Sequence, residues 1–340
     1  MSELKTTSLS HKDNNTGTPN ITMFPDGTTS IGLTHTGGFK NQIINGNMAI
    51  AQRGPGPVVT ASQAGTYATV DRFTVDDVTS EQVVINDLPG FSNALNIYSG
   101  GSYKVRQSVE LTASGNNSQF GLGSTWTLSL WSSDDLTPGS LSLYFTDDHN
   151  GSNFQAVAEN LSWVLIDTVS GSPNNWKRYA ATFTVSTSPV STNKCLNVEM
   201  TLVNGLSTGV QLEPGPVATP FEHRPIGTEI SLCQRYYYRT ADDVGSTNIM
   251  TMCNENNINA SGSVPHPVLM RVPPVVTYGS GIYYFSGPTN ATTFTSAGNR
   301  SSTTQLSIYI DVQSGITPGN AGTLYRASDI NGFIEVDAEL

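Results

Sequence analysis

Apolar and polar positions alternate with a period of two through most of this chain. Trp126, Leu128 and Leu130 alternate with Thr125, Thr127 and Ser129, and Leu141, Leu143 and Phe145 repeat the pattern. So do Tyr179, Ala181, Phe183 and Val185, and again Leu196, Val198, Met200 and Leu202. Alternation of this kind puts one face of each segment on a core and the other toward water, which makes each a strand. Shorter pieces, RFTVDDV at 72–78 and ALNIYSG at 94–100, read the same way. Between them lie SGGS, ASGNNS, DLTPGS, DDHNGSN and SGSPNN, rich in the residues that turns require. Over 41–222 the pattern predicts about eight short strands and no sustained helical period, hence a β-sandwich of jelly-roll type.

The flanks differ. Residues 1–40 are polar, and PDGT sits between Ile21–Met23 and Ile31–Leu33, which predicts one small hairpin. A lone hairpin is marginal in water, so this segment is expected to attach or oligomerise. From 213 to 226 four prolines, Pro214, Pro216, Pro220 and Pro225, remove backbone donors and predict an extended connector. Thr228 then reads as an N-cap with Glu229 in the first turn, opening a short helix that carries Ile230, Cys233 and Tyr237 on one face. Strands resume over 241–340: VPPVVTY as an edge strand, QLSIYIDV as the cleanest alternation, and FIEVDAEL with Ile334, Val336 and Ala338 inward. The fold class expected is all-β: an extended N-terminal segment (1–40), a jelly roll (41–222), a linker and short helix (223–240) and a smaller β-sandwich (241–340).

Composition sharpens this picture. Hydrophobic residues make up 37% of the 340 positions, enough for a real core. A net charge of −11 lacks the basic surface that phosphate binding needs, which argues against nucleic acid. Cys195, Cys233 and Cys253 form no metal-ligand spacing and are odd in number, so they are expected to be buried thiols. No apolar run approaches the roughly 20 residues of a membrane span, and MSELKTTSLSHKDNN is no signal peptide, so synthesis in a cytoplasm is expected.

Candidate chemistry is sparse. Asp147, Asp148 and Asn150 are oxygen donors in one loop and candidate calcium ligands. A glycosidase pair could be drawn from Asp134, Asp135, Asp147, Asp148 and Glu213, although adjacent carboxylates in a turn tend to diverge. His149 has no nucleophile motif near it, and His11, His35 and His266 fall in loops. Trp131 lies at the opposite parity from Trp126, and Trp176 at a strand start; with Asp147 and Asp148 they are the candidate glycan-binding residues. The richest stretch is 211–239, QLEPGPVATPFEHRPIGTEISLCQRYYYR, which gathers Glu213, Phe221, Glu222, Arg224, Arg235, Tyr236 and Tyr237. Three successive tyrosines cannot all enter one core, so this stretch is expected to be an interdomain joint.

NQIINGNMAIAQRG at 41–54, YATVDRFTV at 67–75, YKVRQSVE at 103–110, WTLSLWSS at 126–133, NWKRYAATFTV at 175–185 and above all 211–239 carry a resemblance. With these pieces the chain resembles phage virion fibre and tail-fibre-like structural proteins, particularly those of marine phages. Phe73 stands where that group commonly has Trp, and Met48-Ala49 replaces its usual acidic-aromatic pair. The resemblance implies a virion component with a jelly roll similar to carbohydrate-binding modules, and it supplies no catalytic residue. It implies as partners other virion proteins, further copies of the chain in a homotrimer, and a host-surface glycan. Neither nucleic acid, membrane insertion nor an obligatory cofactor is expected, with calcium the one candidate ion. The alternatives are a polysaccharide depolymerase tailspike and a capsid-decorating fibre.

Overall fold

Two very long strands, Asn93–Glu110 and Cys195–Pro214, run antiparallel and organise everything around them. ALNIYSG and YKVRQSVE are one strand, not two: the glycines of SGGS continue it instead of turning it. CLNVEMTL and QLE are likewise one strand, with a register shift between Val203 and Gly205. Gly205 has φ +127, a conformation that a side chain resists, and an added Cβ would meet Asp134 at 2.3 Å. This irregularity lets one strand serve two layers. Before it, Cys195–Met200 pairs with Leu141–Thr146; after it, Ser207–Pro214 pairs with Thr125–Ser132.

In the computed structural model the described residues are 8–9, 21–23, 29–31, 39–54, 56–59, 66–67, 69–76, 78–112, 118–147, 154–240, 247–286, 291–292, 294–312, 315–326 and 332–339. Among them the architecture is all-β, with one helix. An eleven-stranded sheet runs from the edge strand Val164–Thr168 through Lys177–Thr184, Thr125–Ser132 and the two long strands to Thr66–Tyr67. Its inner face holds the main core, where Trp126, Leu128, Leu130, Leu141, Leu143, Phe145, Phe183, Leu196, Val198 and Met200 meet as their alternation predicts. Toward the C-terminus a seven-stranded sheet faces a three-stranded one, Tyr237–Thr240, Ile334–Asp337 and Val275–Tyr278. A second core fills this part with Leu306, Ile308, Ile310, Val312, Ile334, Val336 and Ala338, all from the expected faces. Residues 41–340 form one compact unit, and residues 1–40 another, in which Ser8–Leu9, Ile21–Met23 and Thr29–Ile31 form a three-stranded sheet. The PDGT turn lies outside the described residues.

The helix spans Ile226–Gln234, earlier than its expected Thr228 start. Pro225 is its N-cap, and the Thr228 and Glu229 amides both donate to the Pro225 carbonyl. Proline has no amide to leave unsatisfied and its fixed φ suits a helix entry, so it displaces the threonine as the boundary. Tyr237 therefore belongs not to the helix but to a strand, paired with Asp337. Cys195 and Cys233 are buried, as expected; Cys253 is exposed, on the outward parity between buried Met252 and Asn254. No helix among the described residues is long and apolar enough to cross a membrane.

Candidate functional site

The stretches 41–50 and 210–229, far apart in sequence, close on each other like a clasp. Asn41 sits at its centre. Its side-chain oxygen accepts from the Ile43 and Leu212 amides, its Nδ2 donates to the Val210 carbonyl, and its own amide donates to Glu222. Asn45 adopts φ +59, a left-handed position that asparagine tolerates, and its amide group ties the loop shut through Ile50 and the Asp71 carbonyl. Gly46 follows because nothing larger fits: an added Cβ would lie 2.1 Å from the Val210 carbonyl oxygen. From the other side Arg224 donates to the carbonyls of Ile43 and Asn41 and pairs with Glu229 at 3.1 Å, while Glu229 accepts from the Asn45 amide.

The connector is held by its own polar residues. Gln211 is wholly buried; its amide donates to Glu213 and its carbonyl oxygen accepts from the Glu222 amide. Glu213, also buried, accepts from the Thr219 amide at 2.8 Å and from its hydroxyl. Buried carboxylates are costly unless bonded in this way. The Phe221 ring lies 5.1 Å from Phe91 and 4.9 Å from His223. It belongs to a satellite cluster with Leu88, Trp131 and Trp176.

The tyrosines divide their faces. Tyr236 packs beside Cys195 and Ile44, with Arg72 over its ring at 3.5 Å, and its hydroxyl donates to Glu110. Arg235 joins the same Glu110 at 3.1 Å. Tyr237 carries Arg53 over its ring at 3.5 Å and donates to Glu335. Tyr238 turns into the second core, where its hydroxyl meets His266 Nδ1 at 2.6 Å. His266 lies in a loop, as expected, yet it is buried, and burial pushes its pKa down. Arg53 and Arg72 reach the end of the chain, pairing with Asp337 and Glu339. Burial raises the Asp71 carboxyl in spite of its bond from Gln52, pushes the Cys233 thiol well up, and lifts Tyr67 to about 12.

The candidate glycan residues are not brought together as a binding face. Trp176 has no exposed surface, so it offers no ring face to a sugar; its Nε1 donates to Asp87 at 3.1 Å. That bond belongs to a knot in which Ser172 and Asn174 also donate to Asp87. Trp131 does face outward from its strand, as its parity implies, but the satellite cluster covers part of it. Asp147 is half-buried, and Asp148, His149 and Asn150 lie outside the described residues, as do His11 and His35. Among the described residues no group of three His, Cys, Asp or Glu is placed to hold a metal. Asp135 accepts from Lys177 and Tyr179, and these bonds hold its carboxyl below the usual range.

Sequence reasoning missed the partners of the joint: Asn41, Asn45, Arg53, Arg72, Glu110, Glu335 and Glu339. The signal was present in NGN, a left-handed turn signature, and in Asp71-Arg72, a charged pair that falls in a buried turn just before the strand Thr74–Val75.

No known protein family matches the chain, and no curated protein does. Among solved structures, the enzymatically active domain of tailspike protein 4 of bacteriophage CBA120 is similar over 52% of this chain and 22% of its own, at 16% identity and a TM-score of 0.31. A cyclase from Fischerella sp. TAU is similar over 52% of this chain and 84% of its own, at 14% identity and a TM-score of 0.26. At such scores neither likeness bears on function.

Proposed function

We propose that this chain is a non-enzymatic phage virion protein, a fibre or spike subunit that contributes to attachment at a host-surface glycan. One observation carries the reading. The stretch with the most specific resemblance to fibre proteins, 211–239, meets another stretch that carries it, 41–54, through Asn41, Asn45, Arg224 and Glu229. Many of their polar groups are spent on each other, on backbone and on side chains elsewhere in the same unit, such as Glu110, Glu335 and Asp337, as suits an architectural signature better than a catalytic one. In this reading residues 1–40 dock on the particle or trimerise, and the C-terminal β-sandwich is presented to the host. Labelling intact particles with antibodies raised against 241–340, followed by electron microscopy, tests it. Label on fibres or spikes, together with inhibition of adsorption by the antibody, is the expected outcome. Absence of the protein from purified particles would overturn the reading, as would reducing-sugar release from host polysaccharide that an Asp135→Asn change abolishes.

A further inference from the structure

The C-terminal β-sandwich has a small pocket of about 210 Å³ between its two sheets. Tyr238 and Thr240, from the three-stranded sheet, form one side; Ile249 and Val264, from the seven-stranded sheet, form the other. Pro265 and Pro267 complete an apolar rim, and Asn248 adds an exposed amide. The tyrosine is fixed in place by its hydrogen bond to His266, which is itself anchored on the Ser302 carbonyl at 2.9 Å. A rigid aromatic base, aliphatic and prolyl walls and a few polar atoms are the composition of a small-ligand site.

Three features narrow the ligand. The volume falls below the roughly 300–1,000 Å³ of pockets that take drug-sized molecules, so a single ring fits and an oligosaccharide does not. No lining residue ionises near neutral pH, so a charged ligand would lose its hydration without gaining a partner. The Thr240 hydroxyl oxygen is buried and has no hydrogen-bond partner among the described residues. A purely aliphatic occupant would leave it so. A pyranose presents an apolar C–H face to proline and aliphatic walls and hydroxyls at its edge to a threonine and an asparagine.

We infer that this pocket binds one neutral sugar unit, with Thr240 and Asn248 contacting its hydroxyls. The inference rests on the attachment reading for its biological sense, but its chemistry stands on the pocket alone.

The test is saturation-transfer NMR on the full chain with methyl α-D-glucopyranoside, methyl α-D-mannopyranoside and N-acetylglucosamine, and glucuronate as the charged counterpart. Transfer to the C–H protons of at least one neutral sugar is expected, with a Kd from titration of that signal at least about tenfold higher for glucuronate, equivalent to about 1.4 kcal/mol. Asn248→Trp, which plugs the mouth from an exposed position, should abolish it. Thr240→Val, nearly the same shape, should weaken it several-fold while the melting temperature holds or rises. No transfer at millimolar sugar, or transfer that survives Asn248→Trp, overturns the inference. Adsorption of the wild-type chain to host cells is read in parallel. Adsorption without sugar transfer removes the pocket and leaves the attachment reading standing; sugar transfer without adsorption does the reverse.

Discussion

The Arg72 guanidinium lies over the Tyr236 ring, 3.5 Å from its centre, and the same arginine is ion-paired with Glu339 and donates to the Ser108 carbonyl. Arg72 is fully buried, so these three partners, with the neighbouring Asp71 carboxyl, stabilise a charge that water does not reach. A cation over a desolvated ring contributes about 2 kcal/mol. Removing the charge leaves Glu339, whose side chain is almost equally buried, to its longer pair with Arg53 at 3.6 Å. Arg72→Met should therefore cost about 3–5 kcal/mol by urea denaturation. Arg72→Met combined with Glu339→Gln should recover part of that loss, because the buried carboxylate left with Arg53 alone of its two arginines is gone. A single variant as stable as wild type would show that the pair contributes nothing.

Gly46→Ala tests the clasp more sharply than any polar change. Its Cβ would meet the Val210 carbonyl, which is backbone in a central strand and cannot step aside. A loss of at least about 3 kcal/mol, or failure to fold, is expected. Gly227→Ala, on the second residue of the helix with open space around it, should instead raise stability by about 0.5 kcal/mol. Equal effects from the two would refute the clasp as drawn.

The same logic gives a pH dependence. Burial lowers the His266 pKa, so the unfolded chain binds its proton first as pH falls. Stability is then unaffected above about pH 6.5 and declines as pH drops from that value through the lower folded pKa. Glu335 adds to this further down. Burial alone would raise its carboxyl, but bonds from Arg239, Tyr237 and Thr277 outweigh that and lower it, so its contribution fades as pH falls through the ordinary glutamate range. A melting-temperature profile should slope downward as pH falls below about 6.5, and His266→Gln should flatten the start of that slope.

Trp176 separates a core reading from a sugar-binding one. Trp176→Ala should cost about 3–5 kcal/mol, as expected for a fully buried ring whose loss also removes the Asp87 bond. Trp176→Phe keeps most of the packing and should leave adsorption to cells unchanged. Loss of adsorption at preserved stability would return this residue to the list of glycan contacts.

The strands and their inward faces were legible because a period of two is a local property: Leu306 to Val312 need only each other to declare a side. What was not legible came from non-local geometry. SGGS carries turn residues, yet the strand continues through it, with Ser102 paired to Val203 and Ile97 to Gly205, and the pairing on both sides outweighs the local preference. Trp176 sits beside Lys177 and Arg178 in sequence, which suggests a surface; the Asp87 knot that buries it is about ninety residues away. The joint was visible in 211–239 as a charged, proline-rich oddity. Four of its seven partners, Asn41, Asn45, Glu335 and Glu339, lie at the two ends of the compact unit, and no local pattern names them.

The edge strand Val164–Thr168 ends the eleven-stranded sheet with all five residues exposed, Val164, Leu165 and Ile166 at 62%, 49% and 44%. Neither lysine nor proline blunts it; a register shift between Leu165 and Asp167 and the one charge at Asp167 are its protection. Exposed aliphatic edges template pairing with other chains. Ile166→Lys places a charge at the irregular position, where the native side chain is partly exposed. Folding stability should change by no more than about 0.5 kcal/mol, while light scattering after heat stress should fall. If scattering is unchanged and the variant unfolds as wild type does, aggregation starts elsewhere in the chain and this edge is already sufficiently guarded by its bulge.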